Sequence, residues 1–203
     1  MQFRRSITIL LGAGALVLTS ACSSSSTDAG GSPAKEAKAA SPSAGARGGT
    51  GSGELQARWW RWTEAAPENA NPIDDEDGHL CGDNQASDVW FLAGTHGGAA
   101  RRTCRMPSGI PVAFPLVNRI TSPKSACDAF LAGAKGSATL DGKPVTSQRL
   151  DAAPVEGWGS GAMACGLWVR LDPLSPGSHT LSFQGSSGDF STSVDYRLDA
   201  GTR

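Results

Sequence analysis

Residues 63 to 89 carry eight acidic groups and no lysine or arginine: Glu64, Glu68, Asp74, Asp75, Glu76, Asp77, Asp83 and Asp88. Four stand in a row at 74–77 and are followed by Gly78 and His79. Carboxylate oxygens so concentrated match the preference of Ca²⁺ for hard ligands, which makes Asp74, Asp75 and Asp77 the candidate metal ligands. The EF-hand template does not fit. With Gly78 at its sixth position, the first ligand would be Ile73 and the twelfth Asn84, neither a carboxylate. The plainer alternative is a solvated acidic loop opened by the Asn71-Pro72 turn.

A second concentration is aromatic. Trp59, Trp60 and Trp62 fall within four positions, and Trp158 stands alone in a glycine-rich stretch. Neighbours on a helix lie about 100° apart, so Trp59 and Trp60 cannot share a face and one of them sits at the edge. An edge tryptophan can stack on a sugar ring or meet a partner. The alternative is a core role with Arg58 or Arg61 lying over a ring. Trp59, Trp60, Trp62, Trp158 and His96 are thus the candidate binding residues. His96 lies in Thr95-His96-Gly97-Gly98, not far in sequence from Asp88, but no G-x-S-x-G elbow supports a relay there. That glycine run also lacks the Gly-Lys-Ser/Thr ending of a phosphate loop. His79 and His179 are scattered, and a surface position is expected for His179 at the head of a strand. Arg101, Arg102 and Arg105 form a small basic patch for which ion pairing with the acidic segment is expected.

Beyond Cys22 the cysteines are Cys81, Cys104, Cys127 and Cys165, an even number fitting an oxidising compartment. Four cysteines allow three pairings, and the spacing alone does not choose. Nearest-neighbour pairing, Cys81–Cys104 and Cys127–Cys165, suits consecutive hairpins. Zinc is disfavoured by the lack of C-x-x-C or H-x-x-x-H spacing.

These residues need elements to position them. Leu55, Trp59, Trp62 and Ala66 recur at i, i+4, i+7 and i+11, which predicts a helix over Glu54–Ala66 stopped by Pro67. A second helix is expected over Pro123–Ala134 with Ser122 as N-cap, and Cys127, Phe130, Leu131 and Ala134 facing inward. Apolar runs at 89–93 and 110–117 read as strands, with Pro111 and Pro115 confining the second to an edge or a bend. Ser137–Leu140 leads into an Asp141-Gly142 turn. Leu167–Leu171 and His179–Phe183 follow as strands, and Val194, Tyr196 and Leu198 alternate with polar neighbours in a half-buried one. The fold class expected is mainly β: an antiparallel β-sandwich, jelly-roll-like, with two short peripheral helices.

The blocks WWRW (59–62), NPIDDEDGHLCGDNQ (71–85), VWFLAGTHGG (89–98), RTCRMPSGIPVAFPLVN (102–118), LDGKPV (140–145) and LDPLSPGSHTLSFQG (171–185) resemble, in that order, a family of exported bacterial proteins. Its signature runs W-W-x-W…N-P…D-x-x-G-x-x-C…V-W-F-L-A-G-T…R-x-C-x-V-P-x-G…F-P-x-x-N. Met106 stands where the family has Val, and the segment between Val145 and Gly166 is short. The resemblance implies export and carries no activity with it.

The N-terminus agrees with export. Arg4 and Arg5, an apolar stretch from Ile7 to Leu18, and small residues before Cys22 compose a secretory signal peptide over 1–21. The Leu-Thr-Ser-Ala-Cys ending resembles a lipobox, although Leu18 stands one place further from the cysteine than usual. By that resemblance Cys22 is acylated, and two acyl chains suffice for stable membrane anchoring. Residues 22–53 are the lipidated cysteine and a tether without Ile, Leu, Val, Met or aromatic residues, and 54–203 the single disulfide-bonded domain. Loss of Arg4 and Arg5 leaves 16 basic and 19 acidic residues, a net charge of −3. That balance excludes nucleic-acid binding through a general basic surface. The expected location is the extracytoplasmic face of the cell membrane, lipid-anchored, as a monomer without cofactor, Ca²⁺ excepted. Three functions are expected in descending order. The first is a binding or accessory module for an envelope polymer or protein. The second is an extracellular hydrolase or lyase using carboxylates of residues 74–88, spaced about 5–9.5 Å apart if a glycosidase. The third is a structural, Ca²⁺-stabilised surface protein. The balance leans away from an enzyme.

Overall fold

The computed structural model describes residues 51–67 and 70–201. The signal peptide, Cys22 and nearly all of the tether lie outside the described residues. Helix α1 spans Ser52–Glu64, two residues earlier at each end than the stripe predicts. Strands follow at β1 (Trp90–Phe91), β2 (Gly98–Pro107) and β3 (Val112–Thr121), then helix α2 (Lys124–Gly133). The chain closes with β4 (Lys135–Leu140), β5 (Lys143–Val145), β6 (Gln148–Pro154), β7 (Met163–Leu171), β8 (Gly177–Ser187) and β9 (Phe190–Gly201). No helix among the described residues is long and apolar enough to cross a membrane.

The strands form two sheets, ordered β1-β3-β7-β6 and β2-β9-β8-β4-β5, in a mainly β, sandwich-like arrangement. Between them lies a core built from Leu92, Val112, Phe114, Leu116 and Val169 of the first sheet with Leu181, Phe183, Val194, Tyr196 and Leu198 of the second. The apolar runs are continuous because the four-stranded sheet is buried on both faces. Val112 and Phe114 face the second sheet, whereas Ala113, Phe91 and Trp168 meet Leu55, Trp59 and Trp62 of α1. Helix α1 is therefore a third layer, held by the predicted stripe. Trp59 anchors it by donating its indole N–H to the Leu92 carbonyl at 2.9 Å.

The sheets are mixed rather than purely antiparallel. β1 runs parallel to β3 over two residues, and β2 runs parallel to β9 along its whole length, Gly98 opposite Thr192 through Pro107 opposite Gly201. A parallel pair needs a long crossover, and the entire span from β3 to β8 supplies it. β2 is an edge strand, a liability unless covered. The acidic loop covers it: the Asp77 carbonyl accepts from the Thr103 N–H at 2.7 Å, and Cys81 is bonded to Cys104. The second disulfide joins Cys127 of α2 to Cys165 of β7. Both are nearest-neighbour pairs.

Helix α2 buries Cys127, Phe130 and Leu131 against Val117 and Cys165. Its N-cap is Pro123 and not Ser122, and no side chain caps it. Asp141 and Gly142 both adopt positive φ, 50° and 74°, in the two-residue turn from β4 to β5, as that Asp-Gly pair demands.

Candidate functional site

β3 pairs with β7 along its length but with β1 only at Val112 and Ala113. Beyond Ala113 that flank of β3 has no strand beside it. The register slips between Pro115 and Val117, a bulge that leaves Leu116 without an opposite number on β7. Leu116 and Val117 consequently both face inward, Leu116 into the inter-sheet core and Val117 toward α2. The bulge is accommodated by Gly136 and Gly185, paired across β4 and β8, since a Cβ on Gly185 would meet the Leu116 carbonyl oxygen at 2.0 Å.

Alongside this unpaired flank lies a cleft of about 240 Å³. Trp59 and Trp60 of α1, Thr95 and His96 from the loop after β1, and Asn118 and Arg119 of β3 line it, with Phe190 and Thr192 of β9. Three of the predicted binding residues thus converge, from two segments some thirty-five positions apart in sequence. Trp59 is core; Trp60 is the edge tryptophan, half-buried, standing edge-on to Trp59 at 4.9 Å and to Trp158 at 5.4 Å. Trp62 is elsewhere, buried against Phe91 with its indole N–H given to the Asp83 carbonyl. The Trp60 indole N–H and the Asn118 side-chain amide are buried without a protein acceptor, a condition that costs on the order of 1–3 kcal/mol per donor. Thr95 is held by a 2.9 Å contact with the Thr192 hydroxyl. His96 and Arg119 are exposed; His96 Nε2 lies 3.5 Å from Asp74, not beside Asp88. Asp88 instead receives two hydrogen bonds from Arg58, which hold its carboxyl below the ordinary range and the guanidinium above its own. Arg58 lies 5.9 Å from the Phe91 ring centre.

The metal candidates divide. Asp74 goes to His96, while Asp75 and Asp77 gather with His79, their ligand atoms within 4.8 Å of one another. Asp75 is buried, and both its oxygens are taken: Oδ1 accepts from the Gly78 N–H and Oδ2 from the Leu80 N–H, each at 2.9 Å. Asp77 accepts from the His79 ring at 2.6 Å, which lowers the Asp77 carboxyl and raises His79. Asp75 therefore acts as an internal cap of the loop.

The basic patch also differs from expectation. Arg102 is buried and pairs with no carboxylate; it donates to the carbonyls of Ile73, Asp75, Ala93 and Gly94 and to the Tyr196 hydroxyl. Arg101 reaches Asp195 at 3.8 Å instead of the acidic loop. His179 is half-buried rather than exposed on the surface, and it assembles with Asp141 and Ser175 in a Ser-His-Asp order that sequence spacing concealed. Nδ1 faces the Asp141 carboxylate at 2.7 Å and Nε2 the Ser175 carbonyl at 2.9 Å; both are acceptors, an arrangement that favours the doubly protonated ring. The Asp141 hydrogen bond, then the Ser175 carbonyl, raise the His179 pKa, and Asp141 is lowered in turn. In the doubly protonated form Nε2 takes no proton from the Ser175 hydroxyl, 3.4 Å away.

Asn118, Arg119 and Thr95 carry no local pattern that marks them as site residues. Comparison with protein-family models, with curated proteins and with solved structures finds no match in any of the three. The site rests on its geometry.

Proposed function

We propose that this chain is a lipid-anchored, extracytoplasmic binding module that engages a component of the cell envelope through the cleft beside β3. The observation that carries the reading is the convergence there of Trp60, His96, Asn118 and Arg119 around about 240 Å³. A half-buried indole, an amide and two exposed nitrogen bases form a surface for recognition, with an apolar wall and a few directed polar groups. The lipobox-like sequence before Cys22 and the oxidised Cys81–Cys104 and Cys127–Cys165 pairs support an extracytoplasmic setting. The family resemblance to exported proteins points the same way. The carboxylates of residues 74–88 support holding the loop more than hydrolysis, because Asp75 is committed to backbone N–H groups and Asp88 to Arg58.

The test is retention on isolated envelope fractions, membranes and cell-wall sacculi measured separately. The soluble Cys22→Ala protein should cosediment with one fraction, and His96→Ala with Arg119→Ala together should reduce that retention about tenfold, the equivalent of one or two hydrogen bonds. Equal retention of the double variant would refute the cleft as the site.

A further inference from the structure

The flank of β3 from Asn118 to Thr121 is an open sheet edge beside the cleft, distinct from the other edge of its sheet, β6, where the Asp151 carbonyl is taken by the Gln56 amide. β2 is covered by the acidic loop, and β1 and β5 have two and three residues. Along 115–121 no backbone hydrogen bond outside the β3–β7 ladder, and no side-chain hydrogen bond to the backbone, is made among the described residues. Alternate residues of a strand direct their N–H and C=O groups to one side; Pro115 lacks an N–H and the Leu116 carbonyl is turned toward Gly185, so the peptide groups open to another strand are those beyond the bulge, from Asn118 to Thr121. It also continues an existing interface: β1 occupies the same side of β3 at Val112 and Ala113, then the chain diverges at Gly94–His96 and the cleft opens between them.

We propose that the cleft's ligand is an extended polypeptide segment of an envelope protein, which adds to β3 as a strand where β1 leaves off. This rests on the cleft being the binding site. Main-chain pairing supplies the affinity in such additions, and alternate side chains supply the specificity. Arg119 and Ile120 point to opposite faces of β3. Ile120 packs, like Trp60 and Trp158, against the small cluster of Val155, Ala162 and Ala164, and Arg119 lies over the Phe130 ring of α2. Arg119 is exposed and has no ion pair among the described residues. The incoming strand therefore places apolar residues on the Trp60 side and an acidic residue on the Arg119 side.

The experiment pans a displayed library of random 12-residue peptides against the disulfide-bonded soluble protein, then resynthesises the best binder with N-methyl groups at alternate positions. Strand addition predicts that one alternating set loses about tenfold or more in affinity while the other changes little, since only one set of N–H groups faces β3. Hydrogen exchange of the free β3 amides between 118 and 121 should slow on binding, and Arg119→Ala should weaken peptides that carry the acidic residue. The proposal is overturned if panning enriches no peptide, if both N-methyl sets behave alike, or if a β-linked N-acetylhexosamine oligomer protects the cleft and peptides do not. Failure of the binding-site reading shows differently: the His96 and Arg119 double variant would then leave envelope retention unchanged.

Discussion

Arg102 shows how one side chain can hold a loop that has almost no apolar content of its own. Its guanidinium joins carbonyls at 73 and 75 of the acidic segment to those at 93 and 94 beside the cleft, and to Tyr196 of the second sheet. Arg102→Met keeps the stem but leaves those acceptors buried and unpaired. It should cost about 3–5 kcal/mol in urea unfolding and loosen the His96 wall of the cleft; a loss below about 1 kcal/mol would show the bonds to be dispensable. His179 gives a prediction in pH. Its folded pKa is raised by Asp141 and the Ser175 carbonyl, so its stabilisation is complete below the ordinary value of about 6.5 and is lost as pH rises through the higher folded one. The Asp141 carboxyl, lowered by His179, the Thr180 N–H and Lys143, acts oppositely, and its share disappears as pH falls through its depressed value. The melting temperature should therefore sag at both ends of a scan from pH 3 to 9. His179→Gln should flatten the alkaline limb, and a variant curve parallel to the wild type would contradict the latch.

At the scale of elements, the bulge at Leu116 and the glycines beneath it are one device. Gly185 has an ordinary backbone conformation, so its need for glycine is purely steric. Gly185→Ala would drive a methyl into the Leu116 carbonyl and should cost about 3 kcal/mol, read as a drop in melting temperature together with a changed cleft. Survival without either effect would mean that the sheets separate easily there. The same comparison shows what local pattern reveals. Helix α1 was legible because Leu55, Trp59 and Trp62 face a single layer, and β9 because Val194, Tyr196 and Leu198 alternate with solvated residues. β2 was not, since the inward-facing position after Ala100 is a charged arginine that satisfies its donors through distant carbonyls and the Tyr196 hydroxyl. β6 was equally hidden, with Leu150 its single buried residue. Trp60 and His96 were legible as candidates from residue type alone. Their meeting with Asn118 and Arg119 was not, because it depends on β1 leaving β3 early, a property of long-range pairing that no window of sequence contains.

The whole molecule is asymmetric: the four-stranded sheet is covered by α1 and α2, the two disulfides pin the acidic loop to β2 and α2 to β7, and the candidate cleft opens where those covered parts meet β9. Such stapling belongs outside the reducing cytosol. Each bridge closes a loop, with sequence separations of 23 and 38 residues, and contributes about 3–4 kcal/mol by restricting the unfolded chain. Export, as proposed, also decides where the cleft would work. Residues 54–203 carry 13 basic and 17 acidic groups, a net charge of −4 that does not draw them to anionic lipid, so the proposed residence at the membrane would depend on the acyl chains proposed at Cys22. Cys22→Ala should move the mature protein from the membrane pellet to the soluble extracytoplasmic fraction, still free of titratable thiols because both disulfides persist. If it remained with membranes after a high-salt wash, binding through the domain itself, and not the lipid, would be what holds it there.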